Sequence, residues 1–299
     1  MKGDIMEKEM RYAVLIDSDN VAAKYTKFIL DEVSNYGVVT YKRVYGDWTR
    51  DNSVRWKTMA LENAITPVQQ YSYTTGKNST DSAMIIDAMD ILYEGKTDGF
   101  CIVSSDSDFT RLAIRLREAG MKVIGMGEQK TPVAFRVACD RFIYIENIRA
   151  AQQEREKAAQ APAQPVKKAE PKPAAKKTHK TKAEASKTPE KPAPAPEAEP
   201  ELSVPEAQAA PAPRKGGRVP EDTVLLIAAS VSDLADEDGW ASMAELGNLL
   251  LKKQPDFDPR NFGFAKLTPL IRSLSRFEID ARVIDATKTR HIYLRDQEA

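Results

Sequence analysis

The sequence predicts an α/β fold built on a mainly parallel sheet, followed by a small α+β domain toward the C-terminal end. Three observations carry this. Short, wholly apolar runs alternate with amphipathic stretches through residue 150, the pattern of a parallel sheet buried on both faces. Residues 151–220 hold 13 Pro, 17 Ala and 11 Lys and no aromatic side chain, which is too little apolar surface to offset the entropy of ordering the chain. Residues 221–299 then read as three helices and a terminal hairpin, the outline of a winged helix. A chain of 299 residues accommodates about two domains at roughly 150 residues each.

The front domain (1–150) is expected to place strands at Tyr12–Ile16, Val38–Val44, Thr66–Tyr73, Phe100–Val103, Lys122–Met126 and Phe142–Ile145. Between them, helices are expected at Val21–Ser34, Val54–Ala64, Asp81–Tyr93, Phe109–Ala119 and Pro132–Cys139. Met84, Ile85, Ala88, Met89 and Leu92 recur on one face of the third helix, at helical spacing. Asp87 and Asp90 fall on its outer face, and Gly120 caps the helix before it. The middle (151–220) is expected to be a disordered Ala/Pro/Lys-rich linker. As a flexible coil, its 70 residues span roughly 40–50 Å. In the back domain (221–299), helices at Thr223–Leu234, Ser242–Leu251 and Lys266–Leu274 precede strands at Phe277–Ile284 and His291–Leu294.

Composition excludes several chemistries. Basic and acidic residues number 44 each, so the chain is no polycation that coats nucleic acid through bulk charge. The sign varies along it: net −1 over 1–150 (20 basic, 21 acidic), +5 over 151–220 (14 and 9) and −4 over 221–299 (10 and 14). Cys101 and Cys139 lack Cys-x-x-Cys spacing, which argues against a structural zinc site and a disulfide framework. Reduced thiols, an N-terminus too charged for a signal peptide and no run near 18 apolar residues lead us to expect a cytoplasmic protein with no membrane partner. The two histidines, His179 and His291, both lie beyond residue 150. Chemistry in the front domain must therefore rest on carboxylates.

Those carboxylates gather after the apolar strands. Asp17, Asp19 and Asn20 follow the first in LIDSDN, Asp106 and Asp108 follow the fourth in IVSSDSDF, and Asp81 opens a helix in KNSTDSAMIID. In open α/β sheets, ligands bind outside the carboxyl ends of the strands, at the switch in strand order. The buried strands are the central ones, so the first two clusters should be neighbours. Asp, Ser and Thr before a helix are ordinary caps, but capping does not require several acids to converge. Like charges brought together need a cation or a proton between them. A carboxylate set without His or Cys suits hard ions such as Mg²⁺ or Mn²⁺, which activate water and stabilise a leaving oxygen in phosphodiester displacement.

LIDSDN, STDSAMIIDAMD and VSSDSDFTRLA, with VYGDW at 44–48 and KVIGMG at 122–127, resemble the NYN domain of the PIN-like nuclease group over about 11–147. The resemblance implies a Rossmann-like three-layer fold and Mg²⁺- or Mn²⁺-dependent ribonuclease activity. Carried onto this chain, it assigns Asp17, Asp81 and Asp106 as metal-binding acids, with Asp108 completing the set and Asn20 shaping the site. We expect Asp17 and Asp106 to hold a metal directly, Asp81 to approach from the third helix, and Asp108 to act through water. Ser105 and Thr80 would fix the carboxylates by hydrogen bonding. Arg50, Arg55, Lys57 and Lys77 are candidate phosphate contacts. Trp48 or Tyr73 would stack on a base or, for Trp48, simply pack.

DPRNFGFAKLTPLIRSLSRFEID at 258–280 resembles the LOTUS or OST-HTH domain over about 221–295, which implies a winged helix that binds RNA or a protein partner. Gly263 would allow a close turn. Arg260, Lys266, Arg272, Arg276 and Arg290 are its candidate phosphate contacts, although the domain's net −4 weakens electrostatic binding. Two other readings of the chain remain open here: a non-catalytic RNA-binding scaffold, and a haloacid-dehalogenase-like phosphatase on the strength of IDSDNV alone.

Overall fold

The computed structural model describes residues 9–49, 53–71, 79–150, 219–284 and 289–298. The expected linker and the end of the expected third strand, 70–73, fall wholly or partly outside them. Six strands form one sheet: β1 (Arg11–Asp17), β2 (Val38–Gly46), β3 (Thr66–Gln69), β4 (Gly99–Val103), β5 (Lys122–Gly127) and β6 (Arg141–Tyr144). Their order is β3-β2-β1-β4-β5-β6 and every pairing is parallel. The strand order reverses between β1 and β4, so the switch point lies where the two acidic motifs end.

The continuous apolar runs explain why these strands are central. Every residue of β4 is buried, as are all of β1 after Arg11. One face of the sheet packs against α1 (Thr26–Val33), α2 (Ser53–Asn63) and a helix over 145–150 (α6) through Ile29, Val33, Trp56 and Ile148. The other face packs against α3 (Ser79–Glu94), α4 (Thr110–Glu118) and α5 (Val133–Ala138) through Met84, Ile91, Leu112 and Phe135. The three-layer α/β expectation is met. The expected first helix begins instead as a 3-10 turn at Ala23–Tyr25. Gly120 takes φ +81° after α4, the left-handed conformation that ends a helix at little steric cost.

One helix-face assignment is corrected. Asp87 does not sit on the outer face of α3: its carboxylate accepts from the Arg43 guanidinium and the buried Tyr45 hydroxyl, both on β2. A polar pair inside an otherwise apolar layer left no trace in the hydrophobic spacing, because Tyr45 counts as apolar there. Asp90 is exposed, as expected.

The C-terminal domain comprises α7 (Glu221–Leu234), α8 (Met243–Lys253), α9 (Leu267–Ser273), β8 (Phe277–Ile284) and β9 (Thr289–Asp296). A two-residue strand, β7 (Ala241–Ser242), adds to β9 to give an antiparallel sheet of order β7-β9-β8. This short strand was not expected, being too brief to show a period of two. Ile227, Leu246, Leu250, Leu270 and Leu294 form a core of its own. Gly263 takes φ +82° at the end of the 3-10 turn Pro259–Phe262, where a side chain would be strained.

Candidate metal centre

The site begins with register. Ile16 of β1 pairs with Val103 of β4, so the next residues, Asp17 at the end of β1 and Ser104 just past β4, stand side by side. The Ser104 hydroxyl donates to Asp17 Oδ2 at 2.8 Å and accepts from the Asp106 N–H at 3.0 Å. One hydroxyl thus ties the two motifs together across the switch point. Ser105, the serine expected to do this, turns the other way and accepts from the Glu128 N–H at 2.9 Å. Register decides between adjacent serines, and register is set by tertiary pairing.

Asp17 is fully buried. Its Oδ1 accepts the amides of Asp19 at 2.9 Å and Asn20 at 3.4 Å, and its Oδ2 accepts the Asn20 side-chain amide at 2.7 Å. Burial pushes the Asp17 carboxyl above the usual range, against the pull of the Asn20 and Ser104 hydrogen bonds. Asp106 caps the 3-10 turn Ser107–Phe109 by accepting the Asp108 N–H at 2.9 Å. Asp81 lies in the first turn of α3.

Asp81, Asp106 and Asp108 each bring a carboxylate oxygen within 4.8 Å of the others. Capping explains Asp106 alone. It does not explain why a second strand-end acid and one from another helix meet it. The Asp81 carboxyl is pushed up to about 6, first by burial and then by the charges of Asp17, Asp106, Asp108 and Asp19. Asp17 is the first of those charges, and its own oxygens are engaged by Asn20 and Ser104. The donor set is all carboxylate, hard and anionic, and fits Mg²⁺ or Mn²⁺. Thr80 is buried beside Asp81 in sequence.

The raised Asp81 carboxyl gives a pH prediction. Its folded value lies above the unfolded one, so the folded state holds the proton more tightly. The apoprotein therefore loses stability as pH rises between about 4 and about 6. A carboxyl raised this far corresponds to about 3 kcal/mol for a fully buried group, and solvent screening of this half-exposed one reduces it to about 1 kcal/mol. In chelator, the stability difference between Asp81→Asn and wild type should move by about that much in the variant's favour from pH 4 to pH 7. Mg²⁺ or Mn²⁺ should recover the wild type's loss at pH 7. Parallel melting curves across that range would contradict it.

The remaining candidates are scattered. Trp48 packs: its indole donates to Val68 O at 3.1 Å and meets Trp56 edge-on at 6.5 Å between centroids. Arg55 and Lys57 are exposed on α2. Arg50, Lys77 and Tyr73 lie outside the described residues. In the C-terminal domain, Lys266 precedes α9 and Arg272 lies within it, both exposed. The side chain of Arg290 is outside the described set, and Arg276 pairs with Asp296 and Glu298.

Arg260 is a correction. All three of its guanidinium nitrogens donate to carboxylates of Asp258 and Glu32, so it does not face solvent as a phosphate contact.

The NYN domain model matches residues 11–146, and the OST-HTH/LOTUS domain model matches 221–288. The chain carries an NYN domain followed by an OST-HTH/LOTUS domain. The acidic triple sits inside the span matched by the NYN model. A protein of unknown function from Vibrio parahaemolyticus is 20% identical over 50% of this chain and 98% of its own, with a TM-score of 0.40. An uncharacterized protein from Nitrosomonas europaea is 31% identical over 32% of this chain and 90% of its own, with a TM-score of 0.25. No curated protein matches. Among the described residues of the NYN and OST-HTH domains, no helix is long and apolar enough to cross a membrane.

Proposed function

We propose that the chain is a Mg²⁺- or Mn²⁺-dependent ribonuclease whose NYN domain hydrolyses RNA phosphodiesters and whose OST-HTH domain contacts the same RNA. The observation that carries this is the meeting of Asp81, Asp106 and Asp108 within 4.8 Å at the sheet's switch point. A divalent ion supplies Lewis-acid stabilisation of the phosphate and a more acidic water. Asp81, Asp106 and Asp108 are the residues to hold it. Asp17, held by Asn20 and Ser104, adds negative charge beside the site and keeps the β1 and β4 ends together.

Lys266 and Arg272 are the OST-HTH cations we assign to phosphate, and Arg55 and Lys57 those of the NYN domain. The test is cleavage of mixed cellular RNA by the full chain. We expect cleavage with Mn²⁺ or Mg²⁺ and none in chelator. Cleavage that persists in chelator, or RNA that is bound but left intact in Mn²⁺, would overturn the reading.

A further inference from the structure

The large sheet ends at β6, and an edge strand presents unpaired backbone donors and acceptors. Here a loop of the OST-HTH domain, residues 255–261 between α8 and α9, lies against that edge. Phe142 of β6 donates its backbone N–H to Pro255 O at 2.8 Å. Asp256 accepts from Arg136 of α5 and from the Tyr144 hydroxyl, the latter at 3.0 Å. The Asn147 side chain of α6 donates to Asn261. Arg260 donates to both oxygens of Glu32 on α1, at 2.9 and 3.2 Å.

Two features mark this as a built contact. The charges are desolvated: side-chain exposure is 20% and 14% for Arg136 and Asp256, and 19% and 12% for Arg260 and Glu32. Separating either pair inside this surface would strand a buried charge. The pairs also alternate in sign, since the NYN domain offers a cation to Asp256 and an anion to Arg260. That alternation sets orientation as well as attraction. Within the loop, Asp258 takes the Arg260 amide at 2.9 Å and the Asn261 side chain donates to Asp256 O at 2.8 Å, which holds the loop in shape before it docks.

We propose that the 255–261 loop is a docking element that clamps the OST-HTH domain onto the β6 edge of its own NYN domain, so that the two move as one body. The clamp assigns Arg260 to domain docking rather than to RNA. It stands independently of the nuclease reading, and its test makes no use of cleavage. Docking in cis is favoured because the loop and the β6 edge belong to one chain, about 70 residues apart along the sequence between the two domains, which makes the contact intramolecular.

The experiment is amide hydrogen exchange on the full-length chain, with Asp256→Arg and the charge-reversed pair Arg136→Asp/Asp256→Arg, together with sedimentation and rotational correlation times. In the wild type, the Phe142 amide should be protected, the chain monomeric and both domains tumbling together. Asp256→Arg should speed Phe142 exchange on the order of 30-fold or more while leaving Ile102 and Val123 unchanged, and the reversed pair should restore much of the protection. Unchanged Phe142 exchange in Asp256→Arg, separate correlation times for the two domains, or protection that disappears as a dimer dissociates on dilution would each overturn docking in cis.

Discussion

Asp106→Asn is expected to lower RNA cleavage at least about 100-fold without unfolding the chain. The asparagine keeps an oxygen where Asp106 accepts the Asp108 N–H, so the cap that starts the turn survives. It removes one negative charge from three carboxylates that meet within 4.8 Å. Outer-sphere changes at metal sites already cost about 10–100-fold, and a direct ligand should cost more. A melting curve and a cleavage rate on the same preparation separate the two effects. Near-wild-type cleavage by a well-folded Asp106→Asn would remove this residue from the chemistry.

Asp17→Ala should instead act on stability. Asp17 accepts four hydrogen bonds while fully buried. Alanine leaves the buried Ser104 hydroxyl without its acceptor, at about 1–3 kcal/mol, and the part-buried Asp19 amide and Asn20 side chain without theirs, at about 1 kcal/mol or less each because water reaches them. Relief of repulsion at Asp81 offsets only part of that, less than about 1 kcal/mol. A net loss of about 3 kcal/mol is expected, read by denaturant unfolding. Lost cleavage in this variant would then say little about chemistry. A loss below about 1 kcal/mol would mean that the Asn20 and Ser104 bonds contribute less than their geometry implies.

The same contrast shows what the sequence alone can disclose. Wholly apolar β1 and β4 announce themselves as central strands, and acids at their ends then fall at the switch point. This is why LIDSDN and SSDSDF pointed to one place. Ser104 could not be chosen over Ser105 without the pairing of Ile16 with Val103. Asp87 looked external because its partners sit on another element, Arg43 and Tyr45 of β2. Arg260 looked like a phosphate contact because Glu32 is 228 residues away, beyond the reach of any local pattern. Local periodicity reports burial and element type. It does not report which charge a distant element will bring.

Mn²⁺ titration followed by calorimetry, on wild type and Asp81→Asn/Asp106→Asn, reaches the acidic triple without needing a substrate. Saturable uptake by the wild type that is lost in the double variant is the result expected of three carboxylates shaped around an ion. No saturable uptake by the wild type, or the same isotherm from both proteins, would contradict it.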